Sequence, residues 1–155
     1  MIFYFAYGSN MDLKRIEKTG LHLASIRTGK LLGWKLVFNV LNNEKNKSGY
    51  ANIVPSNGST GSNVVEGLIY ETDRKSMAKL DHLESYPRYY LKKDVIVTSG
   101  DGEKIKCVTY VGNQKRVRYG LRPMRIYMKY LLNGQIFLSK NYFKKLSRVK
   151  TIDGK

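Results

Sequence analysis

The chain opens on six apolar or aromatic positions in unbroken succession, Ile2–Tyr7, which Gly8-Ser9-Asn10 then cut off. A run of that length bounded by turn formers predicts a buried strand. Asp12 stands as an N-cap ahead of Leu13, Ile16 and Glu17, and that spacing predicts a short helix. Leu21–Arg27 and Lys30–Val40 read as strands separated by Thr28-Gly29, with Trp34, Leu36 and Phe38 alternating onto one face. Asn42–Ser48 is a polar loop, Tyr50–Val54 a short strand ended by Pro55, Asn57–Asn63 a second loop, and Val64–Glu71 a strand carrying Gly67.

The period then changes. Arg74–Ser85 is predicted helical, with Met77, Leu80 and Leu83 as its apolar positions. Tyr89–Ser99 and Glu103–Val111 alternate as strands around Gly100-Asp101-Gly102, a hairpin signal. Ile105, Cys107, Thr109 and Val111 share one face of the second. A basic loop, Gly112–Leu121, leads to Pro123, which suits the first position of a helix running to about Leu132 and closed by Asn133-Gly134. A last helix is expected over Lys140–Val149, with a frayed tail after it. Strands outnumber helices and few βαβ units occur, so the fold class is α+β.

Composition narrows the picture. At 155 residues and 42% hydrophobic content, the chain reads as one folded domain spanning 1–155, with a basic C-terminal tail from about 135. No apolar run approaches the roughly 18 residues of a membrane span, and the opening run lacks the basic start of a signal peptide. Cys107 is the sole cysteine, so no intrachain disulfide forms and a reducing cytoplasm is the expected setting. His22 and His82 have no metal-ligand spacing, and the expectation is a protein without metal or cofactor.

The formal net charge is +16. From Lys104 to Ile152 there are thirteen Lys and Arg and no carboxylate. Such a bias admits an anionic partner, including weak electrostatic binding to anionic polymers, or simply a solvated surface.

Two features carry candidate chemistry. Counting by three and four from Met77 passes through Leu80 to Glu84, which puts a carboxylate on the stripe that faces the core. Apolar surroundings raise a carboxylate's proton affinity, as a general base or acid requires. Alternatively, Glu84 reaches water past the helix end. Asp81 lies at the border of the stripe and faces solvent in this reading. The second feature is the Gly8-Ser9-Asn10 turn, which is either an ordinary turn or a set of N–H groups aimed at an anion. Nucleotide-binding glycine motifs and the Gly-x-Ser-x-Gly elbow are absent from the sequence. Cys107, mid-strand, reads as a small core residue.

Taken in order, the segments resemble the gamma-glutamylcyclotransferase family (gamma-glutamylcyclotransferase-like, AIG2-like). The resemblance runs through Phe5-Ala6-Tyr7-Gly8-Ser9-Asn10, Leu32-Gly33-Trp34-Lys35-Leu36, Phe38-Asn39, and Gly49-Tyr50-Ala51-Asn52-Ile53-Val54-Pro55. It continues in Val65-Glu66-Gly67-Leu68-Ile69-Tyr70, Leu80-Asp81-His82-Leu83-Glu84, Tyr90 with Val95 and Val97, and Pro123 with Tyr127 and Gly134.

The resemblance implies a small mixed β-barrel with flanking helices. It also implies an enzyme that cyclises a small γ-glutamyl amide to 5-oxoproline, with Glu84 as the catalytic base and acid. Tyr7, Gly8, Ser9 and Asn10 would bind substrate through their N–H groups, and Tyr90 and Tyr127 would seat the glutamyl group. One departure stands out: the family usually has glycine after the catalytic glutamate, and this chain has Ser85.

Two alternatives remain at this point. One is a family member acting on a specialised amine, such as an aminoglycoside intermediate or γ-glutamyl-lysine. The other is a non-catalytic anion- or nucleic-acid-binding protein on the same fold. A monomer or a homodimer fits either.

Overall fold

The computed structural model describes residues 1–57 and 63–154. Most of the loop expected at Asn57–Asn63 lies outside the described residues. Among the described residues there are seven strands: β1 (Ile2–Ala6), β2 (Leu23–Leu32), β3 (Trp34–Asn43), β4 (Ser48–Pro55), β5 (Val64–Thr72), β6 (Tyr90–Ser99) and β7 (Lys104–Gly112). Four α-helices accompany them: α1 (Leu13–Lys18), α2 (Arg74–Leu83), α3 (Arg125–Leu132) and α4 (Lys140–Ser147).

Five strands close into a barrel in the order β1-β5-β2-β6-β7, and β3 and β4 pair as a separate two-stranded arm. Neighbours in the barrel run antiparallel except at the seam, where Tyr4 of β1 meets Val108 of β7 in parallel. The barrel is therefore mixed, and with its helices the fold is α+β as the sequence implies.

The apolar run of β1 is long enough to cross the barrel, and it is buried from Tyr4 to Tyr7. Phe5, Leu68 and Val97 from three strands are fully enclosed, each worth roughly 1.5–3 kcal/mol of transfer from water. Gly67 allows β1 and β5 to touch, since a Cβ there would stand 2.2 Å from the Ala6 carbonyl oxygen. Alternation on β7 holds through Ile105, Cys107 and Thr109. Tyr110 is buried as well, and Asp81 of α2 accepts its hydroxyl.

Several boundaries differ from the sequence reading. Thr28-Gly29 does not break the chain; β2 runs through it. Gly29 is there because Val97 and Ile69 leave no room for a Cβ. The reversal is at Gly33, whose φ of +83° few other residues adopt. Pro123 is not helical: α3 starts at Arg125 behind Met124. The tail is not frayed in the manner expected. Ile152 N–H donates to the Pro123 carbonyl, and the Asp153 carboxylate accepts from Arg125 N–H at 2.9 Å, satisfying a donor at the start of α3. Glu66 on β5 accepts from Ser139 N–H and Oγ, which ties the start of α4 to the barrel, and Leu146 of α4 is buried in the core.

Candidate active site

The end of β1, the end of α2 and the middle of β4 meet around a small hollow. Its volume is about 20 Å³, room for one small polar group. Tyr4, Tyr7, Gly8, Ser9, Asn10, Ala51, Glu84, Tyr90, Tyr110 and Tyr127 line it. A cleft of about 290 Å³ adjoins it through the shared residues Ser9, Glu84, Tyr90 and Tyr127, and adds Arg15, Tyr50, Tyr89 and Tyr130. A larger cavity of about 560 Å³ lies between β3, β5 and α4. Its one carboxylate, Glu66, is already held by Ser139, so the smaller hollow is the better candidate for chemistry.

Glu84 owes its position to the way α2 ends. It is the C-cap residue, and the helix closes with Ser85 N–H donating to the His82 carbonyl and Tyr86 N–H to the Asp81 carbonyl. That pair of bonds is a Schellman motif, which needs a left-handed residue just past the cap. Ser85 supplies it at φ +50°, and the same position explains why glycine suits the motif. The stripe count that led to Glu84 thus holds one residue beyond the last helical one, and Leu83 lies 41% exposed. Asp81 does not simply face solvent: it accepts from the Tyr110 hydroxyl at 2.6 Å and pairs with Lys92 at 2.9 Å. These contacts pin the last turn of α2 to β6 and β7.

The Glu84 carboxylate turns into the hollow, and Oε1 accepts from Asn10 Nδ2 at 3.0 Å. Burial pushes its pKa up to about 7, against the opposing pull of the Arg15 cation and the Asn10 hydrogen bond. Asn10 is a junction. Its amide also donates to the Tyr4 hydroxyl at 2.9 Å, its Oδ1 accepts from Arg15 Nε at 3.4 Å, and its carbonyl accepts from the Tyr70 hydroxyl at 2.5 Å. Arg15 is set by the Asp12 cap of α1, which accepts from Lys14 and Arg15 N–H, and its guanidinium lies 5.1 Å from the Tyr130 ring centre.

Gly8-Ser9-Asn10 leads into a 3-10 turn, Ser9–Met11. Such a turn leaves its first N–H groups without partners of its own, and Gly8, Ser9 and Asn10 all line the hollow. A Cβ at Gly8 would point at Ala51 Cβ (3.4 Å) and the Tyr127 hydroxyl (3.6 Å). Ala51 on β4 is held from both sides: the Tyr90 hydroxyl donates to its carbonyl at 2.6 Å, and its N–H donates to the Tyr127 hydroxyl at 3.0 Å. The Tyr7 hydroxyl is committed to the Tyr110 carbonyl at 2.6 Å.

The structure therefore brings Tyr7, Gly8, Ser9, Asn10, Glu84, Tyr90 and Tyr127 to one place. The sequence reading missed Tyr4, Arg15, Ala51, Asp81 and Tyr110. One signal was available for Tyr4: a tyrosine within an apolar strand needs a partner for its hydroxyl. Cys107 is buried away from this group, with its thiol pushed up to about 12 by burial.

Residues 4–128 match the family described as "Gamma-glutamyl cyclotransferase, AIG2-like". A curated relative from Drosophila melanogaster, "Putative gamma-glutamylcyclotransferase", is 39% identical over 49 residues, covering 32% of this chain and 31% of that protein. A second of the same description, from Methanocaldococcus jannaschii, is 35% identical over 63 residues, covering 39% of this chain and 52% of that protein. The matches thus span about a third and about half of the relatives' lengths.

A solved structure titled "Gamma-glutamyl cyclotransferase" superposes with a TM-score of 0.81 at 24% identity, covering 99% of this chain and 92% of that one. YkqA from Bacillus subtilis superposes with a TM-score of 0.80 at 27% identity, covering 95% and 53%.

Proposed function

The chain belongs to the gamma-glutamyl cyclotransferase, AIG2-like family, and from that premise we propose that it cyclises a small γ-glutamyl amide to 5-oxoproline and releases the free amine. The observation that carries this reading is the Glu84 carboxyl, with its pKa pushed up to about 7, at the boundary between a one-group hollow and an open cleft.

In this reaction the nucleophile belongs to the substrate. The α-amine attacks the γ-carbonyl carbon, a C–N bond forms, and the carbonyl oxygen takes up negative charge. Glu84 accepts the proton that the amine loses and passes it to the departing nitrogen as the old amide C–N bond breaks. Among the described residues, no Ser–His or Cys–His pair lines the hollow, and a substrate-borne nucleophile needs none. Ring closure is intramolecular, so holding the chain folded supplies up to about 7–11 kcal/mol of the barrier reduction. The N–H groups of Tyr7, Gly8, Ser9 and Asn10 bind the substrate's charged end or the oxyanion, and Tyr90 and Tyr127 wall the glutamyl group.

The cleft holds the leaving amine. Arg15 lines it and the chain carries a formal net charge of +16, which favours a small neutral or acidic amine over a polycation, since like charges repel. Residues 1–155 act as one domain in this reading, in a reducing cytoplasm. The cations of α4 make no ion pair among the described residues and give only salt-sensitive background binding to anionic polymers.

A panel of γ-glutamyl donors with detection of 5-oxoproline tests the proposal. The wild-type protein is expected to release it from at least one donor and Glu84→Gln from none. Undiminished turnover by Glu84→Gln would sink the assignment.

A further inference from the structure

The hollow is lined by five tyrosines, Tyr4, Tyr7, Tyr90, Tyr110 and Tyr127, and each hydroxyl has one proton to donate. Tyr7, Tyr90 and Tyr110 give theirs to the Tyr110 carbonyl, the Ala51 carbonyl and the Asp81 carboxylate. Two hydroxyls differ. Tyr127 accepts from Ala51 N–H and Tyr4 accepts from Asn10 Nδ2. Neither donates to any acceptor among the described residues.

The orientation of the Asn10 amide settles the Tyr4 bond. Arg15 Nε can only donate and the ionised Glu84 can only accept, so Oδ1 faces Arg15 and Nδ2 faces Glu84 and Tyr4. The Tyr4 oxygen receives a proton from Asn10 and keeps its own for the hollow. Tyr127 lines both the hollow and the cleft, whereas Tyr4 lines only the hollow.

We propose that Tyr4 is a further catalytic residue, whose hydroxyl donates a hydrogen bond to the γ-carbonyl oxygen as that oxygen becomes the tetrahedral oxyanion. The proposal rests on the cyclotransferase reading of the same site. Two observations and one requirement of the proposed reaction support it. The hollow takes one small polar group, and Asn10 puts the Tyr4 hydroxyl and the Glu84 carboxylate on the same amide. The reacting carbon must lie beside Glu84, because Glu84 serves both the attacking and the departing nitrogen. The third is a chain of hydrogen bonds, in which Arg15 polarises Asn10 and Asn10 polarises the Tyr4 hydroxyl, making it a better donor.

No proton leaves Tyr4 in the step; the hydrogen bond shortens as charge develops and relaxes as the carbonyl re-forms. Burial holds the Tyr4 hydroxyl well above the ordinary tyrosine range, so it remains a donor at every working pH.

The test is Tyr4→Phe in the full chain, with a donor that the wild-type protein turns over. The expected result is a kcat lower by roughly 10²–10³, with KM within about threefold and an acid limb of the pH–rate profile at the wild-type midpoint, since the Asn10–Glu84 bond remains. A raised KM and a displaced limb at nearly unchanged kcat would assign Tyr4 a structural role and overturn the proposal, as would kinetics indistinguishable from wild type.

If Tyr4→Phe does not fold, 3-fluorotyrosine placed at position 4 keeps the shape. Its ¹⁹F resonance is expected to shift on addition of 5-oxoproline, and an unmoved signal at saturating product overturns the proposal. A wild-type protein that releases no 5-oxoproline from any donor overturns the cyclotransferase reading and this inference together. Turnover by the wild type that Tyr4→Phe matches overturns this inference alone.

Discussion

Asn10 and Glu84, separated by 74 positions in sequence, share a 3.0 Å hydrogen bond from the Asn10 side-chain amide to the Glu84 carboxylate. The bond favours the ionised form of Glu84 and partly offsets the burial that pushes its pKa up to about 7. A general base works deprotonated, so kcat/KM is expected to rise with pH through about 7 and level off above it. Asn10→Ala removes a hydrogen bond that holds the pKa down. Its acid limb should move to higher pH, with lower activity at neutral pH as a smaller fraction of Glu84 is ionised. A pH–rate profile of both proteins checks this, and an unmoved or downward-shifted limb contradicts it.

The same burial has a consequence for stability. Glu84 has a folded-state pKa raised above its ordinary value, so the folded state binds this proton more tightly than the unfolded chain. Stability from this group therefore falls as pH rises from about 4.5 toward 7 and stays low above that. Glu84→Gln abolishes the dependence. It should be more stable than wild type at pH 8, by on the order of 1–3 kcal/mol once partial exposure is allowed for, and nearly equal at pH 4. Urea unfolding at the two pH values measures the difference; a larger gain at pH 4 than at pH 8 would contradict the sign.

How much of this was legible in the sequence follows from the range of each interaction. Local rules found the strand ending in Gly8-Ser9-Asn10, the Asp12 cap, the β6–β7 hairpin and the stripe that leads to Glu84. They misplaced the β2–β3 reversal because Gly29 and Gly33 look alike in sequence. Gly29 makes room for Val97 and Ile69, whereas Gly33 makes the turn. Pro123 was a reasonable helix start, but the donors at the start of α3 are met by Asp153, which comes from the far end of the chain. Tyr4 and Tyr110 read as apolar strand residues because periodicity gives a face and not the partner of a buried hydroxyl. The junction at Asn10 depends on contacts from β1, α1, α2 and β5 at once, and no spacing rule spans them.

Asp81 and Tyr110 anchor the end of α2. Their 2.6 Å bond is part-buried, with Lys92 on the other carboxylate oxygen. Asp81→Ala leaves the Tyr110 hydroxyl without its acceptor and should cost about 1–3 kcal/mol. Tyr110→Phe should cost a comparable amount. The double variant should cost less than the two singles added, because both remove one interaction. Since Glu84 caps α2, each single variant should also lower kcat. A double-mutant cycle by urea unfolding, run beside steady-state kinetics, tests both; strict additivity would show that the pair does not act together.

Ser85 follows Glu84 in the left-handed region, at φ +50°, and that conformation is required because its N–H and that of Tyr86 close the Schellman motif. An L-residue with a Cβ pays roughly 1–2 kcal/mol there. Glycine avoids that penalty but loses more conformational freedom on folding, by about 0.5–1 kcal/mol. The first effect is the larger, so Ser85→Gly should stabilise the protein by about 0.5–1 kcal/mol. Ser85 is exposed and lines the cleft, and its side chain makes no hydrogen bond among the described residues. The Glu84 carboxylate keeps its place, and kcat should stay within about twofold of wild type. Ser85→Ala keeps the Cβ and should gain nothing, which separates relief of backbone strain from loss of the hydroxyl. Thermal unfolding of the two variants decides it: equal melting temperatures for the glycine and alanine variants would show that the left-handed turn carries no strain.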